Sequence, residues 1–282
     1  MPTGSLIGKG SFSIVSKELL GSSWVAKKHA RDPHSKDHDL LREYSILSSL
    51  HHPNIIQVID LTPLRHGFYM SLYEIDLHQV VVYQLLSLQD ALSIIRQAAT
   101  GLAYLHQQGY GHFDLKPANI LLRNANTEVA ICDFGFSAKL TAPSLVEEFI
   151  RTQSSKGPRG TLLWLAPERL IYPHVAVSKS DIYSLGLVCY SVLAGEEPWN
   201  NYEDSEEFAP DLRADRLIGQ LTQPARCSPE LWQFLQSCWQ YNFRLRPNAY
   251  RFIEACNQPL SSAELPFLTL TSESEEEGSE SL

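Results

Sequence analysis

Cysteine is scarce in this sequence, and long apolar runs are missing. The five cysteines are scattered and form no C-x-x-C pair. This spacing disfavours a disulfide framework or a zinc site and favours free thiols in a reducing compartment. No stretch approaches the roughly 18 apolar residues that cross a bilayer, and residues 1–10 lack the apolar core of a secretory signal. We therefore expect a cytoplasmic or nuclear protein with no membrane partner.

Positive charge is also in deficit. The formal net charge is −9, and residues 261–282 hold six acidic residues and no lysine or arginine, which leaves −3 for the rest. A chain without a basic excess is a poor candidate for nucleic-acid binding, so no nucleic-acid partner is expected. Residues 261–282 are rich in serine and glutamate and show no periodicity, which predicts a disordered acidic tail.

The sequence does contain two kinds of periodicity, in two successive regions. Residues 1–75 carry short apolar runs separated by turn residues, which predict strands, together with one helical pattern at 36–50. From Ser87 onward the periodicity is helical, and residues 181–194 are apolar on nearly all sides, as in a buried helix. We therefore predict an α+β fold, with a strand-rich unit at 1–75 followed by a helical unit at 76–260.

A glycine-bearing strand turn lies near the start of the chain. Gly8, Lys9 and Gly10 precede Val15, and glycines in such a turn let the backbone approach phosphate oxygens closely. A plain hairpin has the same pattern, so the turn alone does not decide between the two interpretations. Ser13 stands where a phosphate-binding turn usually carries a third glycine.

A pair of lysines follows on the next predicted strand. Because side chains alternate along a strand, Ala26 and Lys28 share one face, whereas Lys27 points away. Ala26 can then form the floor of an adenine pocket while Lys28 reaches the phosphates. Glu43, on the helical pattern at 36–50, is the expected ion-pair partner of Lys28. Without the motifs that follow, a surface lysine pair is the better interpretation.

The strongest signal is the run 112–122, which places a carboxylate, an ammonium and a carboxamide in one short loop. Asp114 can accept the proton of a substrate hydroxyl, Lys116 can neutralise a transferring phosphoryl group, and Asn119 can bind magnesium. Farther along, Asp133 ends an apolar strand and begins the sequence Asp-Phe-Gly, where its carboxylate suits a second magnesium contact. A chance polar loop explains either motif alone but not both at this spacing.

These motifs resemble those of the eukaryotic protein-kinase superfamily, over residues 4–257. Ala166-Pro167-Glu168 is similar to the end of the family's activation segment. Asp181 is similar to the aspartate that holds the catalytic-loop backbone, and Arg246 to the buried partner of Glu168. Glu168 and Arg246 could instead be solvated surface charges. The resemblance implies the bilobal α+β protein-kinase fold, with a small antiparallel β-sheet N-lobe that has one helix and a larger helical C-lobe.

The resemblance also implies the cofactors and the site. It implies ATP, two Mg²⁺ ions, for which Mn²⁺ is a substitute, and a protein substrate. The implied catalytic residues are Asp114, Lys116 and Asn119, and the implied metal ligands are Asn119 and Asp133. The residues implied to bind the nucleotide are Gly8, Lys9, Gly10, Val15, Ala26, Lys28, Glu43, Leu121 and Asp133.

Finer features indicate the substrate class. Lys116 followed by proline, and Thr161 preceded by glycine, are similar to serine/threonine kinases, and Trp164 is similar to the tyrosine-kinase-like group of these enzymes. The closest resemblance is to the Mos kinases, which act upstream of MAP kinase kinase, so a MAP kinase kinase is the expected partner. The segments that carry this resemblance are 77–80, 112–121 and 133–140.

Several positions leave alternatives open. Phe113 stands where many regulated kinases carry an arginine that binds an activation-loop phosphate, so we expect activity not to depend on such a phosphate. Cys132 is expected to border the nucleotide pocket, as an inert small residue or as a reactive thiol. The gatekeeper is Met70, Ser71 or Leu72. Hydroxyls that are either phosphorylation sites or merely exposed are Thr141, Ser144, Thr152, Ser154, Ser155, Ser272 and Ser274.

Two rival functions share part of this pattern. A pseudokinase that acts as a binding scaffold is consistent with Phe113 and Ser13, but the predicted catalytic and metal-binding side chains are all present. A small-molecule kinase of related fold would share the catalytic aspartate and asparagine but would lack Ala-Pro-Glu and the peptide-docking segment around Thr161.

Overall fold

The computed structural model describes residues 4–9, 13–31, 38–63, 66–83, 86–125, 127–151, 160–199, 202 and 205–257. Gly10, part of the predicted phosphate-binding turn, lies outside these residues, as do Thr152, Ser154, Ser155 and the predicted tail. Within the described residues, an antiparallel sheet precedes a mainly helical region, which confirms the predicted α+β fold.

The first sheet has five antiparallel strands. They are β1 (Ser5–Lys9), β2 (Ser13–Leu20), β3 (Ser23–Ala30), β4 (Val58–Leu61) and β5 (Gly67–Met70), and their order in the sheet is β1-β2-β3-β5-β4. Gly8 lies opposite Val15, and Val15 lies opposite Lys28. Because directly opposed residues of antiparallel strands point to the same face, this row places the predicted glycine, valine and lysine on one side of the sheet.

One helix, α1 (His38–Leu47), packs against this sheet. Glu43 and Leu47 lie four residues apart and are both buried, so they share the face that points inward. The predicted extension of the helix beyond Leu47 is wrong. The hydroxyls of Ser48 and Ser49 donate hydrogen bonds to carbonyl oxygens three residues earlier, and such local bonds compete with helix continuation.

Eight further helices make up about half of the described chain after β5. They are α2 (Leu77–Val82), α3 (Leu88–Gln107), α4 (Pro143–Arg151), α5 (Pro167–Ile171), α6 (Ser178–Ala194), α7 (Ser205–Arg213), α8 (Pro229–Cys238) and α9 (Ala249–Cys256). Helix α3 begins as predicted, because Ser87 Oγ accepts a hydrogen bond from the Asp90 N–H at 3.1 Å. Helix α6 is buried along nearly its whole length, which confirms the buried helix predicted at 181–194.

Two small sheets position the loops between these elements. Strands β6 (Ile75–Asp76), β8 (Ile120–Arg123) and β9 (Glu128–Ile131) form one sheet, and β7 (Tyr110–Gly111) and β10 (Ala138–Lys139) form the other. Because β8 and β9 are antiparallel neighbours, the loop before β8 lies beside the turn after β9. The predicted boundary between residues 75 and 76 falls inside β6 and stays a prediction.

The helical region has its core around α3 and α6, which contact each other. Ile95, Leu102 and Leu185 are fully buried there, so the loops that precede β8 and follow β9 rest on a rigid base. None of the helices described is long and apolar enough to cross a membrane.

Candidate active site

An ion-paired lysine joins the first sheet, helix α1 and the turn after β9. Lys28 places Nζ 2.8 Å from both carboxylate oxygens of Glu43 and 2.8 Å from Asp133 Oδ1. Lys28 is 6% exposed and Glu43 3%, whereas the side chain of Asp133 is 44% exposed. The structure therefore brings three predicted site residues together and leaves one of their carboxylates accessible to a ligand.

Lys28 and Asp133 stabilise each other's charged forms. Burial alone would lower the pKa of Lys28, but the carboxylates of Glu43 and Asp133 outweigh this effect and raise the pKa above its ordinary value. Burial would raise the pKa of Asp133, but Lys28 overrides it and lowers that pKa. Burial raises the pKa of Glu43 against the pull of Lys28. At neutral pH Lys28 is therefore a cation and Asp133 an anion, as contacts to phosphate and metal require.

The backbone after β9 holds the Asp133 carboxylate in place. Asp133 has a φ of 60° and precedes a 3-10 turn at Phe134–Phe136. The Phe134 N–H donates a hydrogen bond to Glu43 at 3.0 Å, and the buried Phe134 ring lies edge-on to His112, with centroids 5.0 Å apart. A left-handed backbone at a non-glycine residue costs about 1–3 kcal/mol, which these contacts offset.

Asp114 lies at the centre of a hydrogen-bond network and is 5% exposed. Its Oδ1 accepts hydrogen bonds from the Thr161 N–H and hydroxyl, at 2.6 and 2.8 Å. Its Oδ2 accepts from Asn119 Nδ2 at 3.1 Å and lies 3.2 Å from Lys116 Nζ. Lys116 also donates to Thr161 Oγ1 at 2.5 Å. The predicted catalytic residues Lys116 and Asn119 thus both contact Asp114, and Thr161 completes the network.

The loop that carries Asp114 is fixed by Asp181, in the first turn of α6. The fully buried Asp181 carboxylate accepts from the N–H groups of His112 and Phe113 at 2.9 and 2.7 Å, and lies 2.9 Å from His106 Nε2. Burial would raise the pKa of Asp181, but these hydrogen bonds, that of His106 foremost, lower it. Phe113 has a φ of 64°, which non-glycine residues rarely adopt, and the bonds to Asp181 hold it there.

Cys132 joins the Asp114 loop to the Asp133 turn. Its N–H donates to the Asn119 carbonyl oxygen at 2.9 Å, and its own carbonyl oxygen lies 2.9 Å from His112 Nε2. Because the Asp114 N–H donates to His112 Nδ1 at 3.2 Å, Nδ1 is unprotonated and Nε2 carries the proton that bonds Cys132. Asp114 and Asp133 are therefore held by one hydrogen-bonded unit.

The sheet face beside Lys28 has small and apolar residues that suit an adenine ring. Ala26 is 3% exposed and lies opposite Met70, which is 7% exposed, at the end of β5. Met70 therefore shares the face of Ala26 and Lys28, and of the three gatekeeper candidates it is the one that lies on β5. Leu121 lies half-buried on β8, opposite Asp76 of β6.

Gly8 leaves room on the same face. A Cβ added at Gly8 would meet only Val15, at ordinary contact distances of 3.5 and 3.7 Å, and the backbone has no positive φ there. The fold itself therefore does not require glycine at this position. The open backbone suits close approach by phosphate oxygens, and exposed Lys9 lies next to it.

Oxygen donors for a magnesium ion are present at Asn119 and Asp133. Both hydrogen bonds of the Asn119 amide nitrogen go to Asp114, at 2.8 and 3.1 Å, so its amide oxygen remains as a ligand. Asp133 binds Lys28 through Oδ1, and its Oδ2 stays on a side chain that is 44% exposed. Mg²⁺ commonly takes one or two carboxylates together with substrate phosphates and waters, so this donor set fits the ion.

Glu168 and Arg246 form a buried pair that supports the end of the activation segment, which we define as residues 133–168. Arg246 donates to both carboxylate oxygens of Glu168, at 2.7 and 2.8 Å. The two residues are 2% and 3% exposed, so the alternative interpretation of solvated surface charges is wrong.

Two contacts of the site carried little signal in the sequence. Thr161 was expected to lie in a peptide-docking segment, but its contact with Asp114 depends on how that segment folds back. Arg42 donates hydrogen bonds to the carbonyl oxygens of Gly135 and Ser137 and so braces the turn after Asp133. Its position next to Glu43 is the only sequence feature that could have indicated this, and it is not specific.

Cys132 should resist alkylation in the folded protein. Burial, followed by the charge of Asp133, raises the pKa of this thiol far above its ordinary value. Burial raises the pKa of Cys227 to about 11. Because the thiolate is the nucleophile, a raised pKa means less reaction at a given pH. Between pH 7 and 9, iodoacetamide should therefore label Cys132 more slowly than Cys227, as measured by peptide mass spectrometry with urea-unfolded protein as the control. Faster labelling of Cys132 than of Cys227 would restore the reactive-thiol interpretation.

Comparison with known proteins connects this geometry to a family. The family model of the protein kinase domain matches residues 2–260. The chain is 30% identical to a light-sensor protein kinase of Ceratodon purpureus, over 87% of this chain and 20% of that protein. It is 28% identical to a dual-specificity protein kinase of Dictyostelium discoideum, over 93% and 35% of the two chains. It is also 28% identical to a mitogen-activated protein kinase kinase kinase of Arabidopsis thaliana, over 92% and 37%. The chain thus spans between 20% and 37% of the length of these relatives.

Proposed function

Since the chain belongs to the protein-kinase family, we propose that it is an active kinase that transfers the γ-phosphate of ATP to serine or threonine hydroxyls of a protein. The observation that carries the proposal is the convergence of two groups of residues. Lys28 binds Asp133 at 2.8 Å, and Cys132, the residue before Asp133, is bonded to the Asp114 loop through both its backbone groups. A nucleotide bound by Lys28 and Asp133 would therefore lie within reach of Asp114.

Asp114 is the base in this mechanism. Four donor groups, from Thr161, Asn119 and Lys116, already surround its oxygens. A carboxylate has about four lone-pair sites for donors, so all of them are occupied. The substrate hydroxyl must therefore replace one donor. Lys116 is best placed to leave, because its side chain is 24% exposed and its ammonium is attracted by the γ-phosphate. Asp114 then takes the hydroxyl proton as the oxygen–phosphorus bond forms and the bond to ADP breaks.

Asn119 and Asp133 would hold magnesium, with two ions in our proposal and manganese as a substitute. When bound, the metal neutralises charge on the β- and γ-phosphates. Asn119 is oriented by its two bonds to Asp114, and Asp133 is oriented by Lys28 and the left-handed turn. Lys28 binds the α- and β-phosphates, and Glu43 keeps its ammonium aimed at them.

Serine/threonine specificity is supported by the contact between Lys116 and Thr161 at 2.5 Å, because the resemblance assigned both residues to this substrate class. The mitogen-activated protein kinase kinase kinases among the relatives support a finer proposal, in which the protein is Mos-like and phosphorylates a MAP kinase kinase. We place it in the cytoplasm, with the nucleus as the alternative, on the support of five free and buried thiols.

A degenerate peptide library with γ-labelled ATP and magnesium tests this proposal. We expect label on serine and threonine, identified by phosphoamino-acid analysis, and a sequence preference around the acceptor. Label on tyrosine alone would overturn the substrate class. Absence of transfer to any peptide or to a generic protein, in a sample that binds MgATP, would favour the pseudokinase instead.

A further inference from the structure

The ring of Phe113, next to Asp114, contacts the strand that pairs with the start of the activation segment. The residue is 3% exposed, and a Cβ added at Gly111 would lie 2.2 Å from ring atom Cζ. The tip of the ring therefore rests directly on the Gly111 backbone. Gly111 pairs with Ala138 between β7 and β10, just after the Asp133 turn. A shift of the ring would disturb the strand pair that begins the activation segment.

Arg169, immediately after the activation segment, reaches the same ring. Its guanidinium carbon lies 4.4 Å from the centre of the Phe113 ring, and the residue is 4% exposed. Arg169 Nη1 donates to the carbonyl oxygens of Pro173 and Val175, at 3.1 and 3.0 Å, so the loop after α5 holds the cation in position. A cation over an aromatic ring is attracted most strongly where water is excluded, as it is here.

A further contact joins the first part of the activation segment to the loop that follows α5. The Thr141 N–H donates to the Ala176 carbonyl oxygen at 2.7 Å, and the Ala176 N–H donates to Thr141 Oγ1 at 2.9 Å. Ala176 follows Val175, which accepts from Arg169. These contacts are made by backbone groups, a hydroxyl, a ring and a guanidinium, so none of them requires a phosphate.

We propose that Arg169 is a positioning residue, whose contact with Phe113 holds the Asp114 loop and the activation segment in their working arrangement without phosphorylation of that segment. The inference rests on the proposed kinase function, since the arrangement matters only if Asp114 serves phosphoryl transfer. Phe113 stands where many regulated kinases carry a phosphate-binding arginine. Its ring contacts a cation instead, Arg169, which lies just after the activation segment.

The contact acts on catalysis through the backbone of Phe113. This residue has a left-handed φ of 64°. Its carbonyl oxygen would lie 2.8 Å from a Cβ added at Gly160, so the backbone of Phe113 packs closely against Gly160. Because Asp114 is the next residue, rotation of Phe113 displaces the catalytic carboxylate. A displacement of about 1 Å can cost on the order of 10²-fold in rate.

A double-mutant cycle on the full chain tests the proposal, with Arg169→Gln, Phe113→Leu and both together. A buried cation–π contact corresponds to roughly a 30-fold effect on rate. We expect each single variant to lower kcat by about that factor with the KM for ATP unchanged, and the double variant to lose no more than either single. Arg169→Lys, which keeps the cation, should recover most of kcat.

Lys17→Gln is the matched control. It also removes a cation from an aromatic ring, because Lys17 lies 4.8 Å from the half-exposed Trp24 ring. This contact joins β2 and β3 and does not involve the Asp114 loop, so the variant should leave kcat unchanged.

Three results would overturn the proposal. They are losses that multiply in the double variant to about 900-fold, single variants whose kcat equals that of wild type, and collapse of wild-type activity after phosphatase treatment. Should Arg169→Gln not fold, Phe113→Leu decides alone, since a folded variant with undiminished kcat contradicts the proposal. Failure of the kinase function itself is distinguishable, because wild-type protein would then transfer no phosphate.

Discussion

Asp114→Asn should lower kcat by about 10²- to 10⁴-fold, the usual contribution of a positioned general base. Asparagine keeps the shape of the side chain but cannot take the hydroxyl proton. Its amide group would also place a donor against the donors that surround Asp114, namely Asn119, Lys116 and Thr161. The KM for ATP should change little, because in our proposal Lys28 and Asp133, and not Asp114, contact the nucleotide. Initial rates with γ-labelled ATP and a generic protein substrate measure both quantities.

Asp60→Asn is a matched control for this variant. Asp60 is exposed on β4, and its side chain accepts a hydrogen bond from the N–H of the next residue, Leu61, at 2.7 Å. Its replacement should leave kcat within twofold of wild type, since surface substitutions rarely alter a distant site. The assignment of Asp114 fails if Asp114→Asn retains more than half of the wild-type kcat in a sample that binds MgATP.

Arg246→Met should cost about 3–5 kcal/mol in the free energy of unfolding, the usual penalty for breaking a buried ion pair from one side. Arg246 is 2% exposed, and both carboxylate oxygens of Glu168 accept from it at 2.7 and 2.8 Å. Its loss leaves the 3%-exposed Glu168 with a buried charge and no bidentate partner. Urea unfolding followed by tryptophan fluorescence measures the effect.

Two further variants show whether burial is the cause. Arg251→Met breaks an exposed pair, because the side chains of Arg251 and Glu254 are 69% and 60% exposed, and it should change stability by no more than about 0.5 kcal/mol. Glu168→Leu combined with Arg246→Met removes both charges and should cost less than Arg246→Met alone. Equal losses for Arg246→Met and Arg251→Met would contradict the role assigned to the buried pair.

Much of the fold could be predicted because periodicity and capping act locally. Ser87 marks the start of α3, and the all-round apolar pattern at 181–194 indicates the buried helix α6. The hydrophobic pattern that continues past Leu47 does not show the end of α1, because that end depends on the hydroxyls of Ser48 and Ser49, which bond backbone carbonyl oxygens. Helix boundaries depend on such balances, whereas helix existence depends on the pattern as a whole.

The candidate site was predictable to the extent that its chemistry lies in contiguous motifs. The functional residues of the Asp114 loop and of the Asp133 turn each lie within a few positions of one another. Because side chains alternate along a strand, the sequence also shows that Lys28, and not Lys27, shares the face of Ala26. The placement of Met70 opposite Ala26 is a matter of strand register, which spacing along the chain does not encode. The contact between Arg169 and Phe113 joins residues from two distant segments, and neither local periodicity nor spacing along the chain encodes it.

The proposed phosphoryl transfer requires that Lys28, Asp114 and Asp133 all serve one bound nucleotide. The most direct measurement is magnesium-dependent transfer of labelled γ-phosphate by wild type, Lys28→Met, Asp114→Asn and Asp133→Asn in a single assay, with circular dichroism to verify folding. We predict that wild type transfers phosphate and that each folded variant loses at least about 100-fold. Transfer at the wild-type rate by a folded Lys28→Met or Asp133→Asn protein would contradict the account.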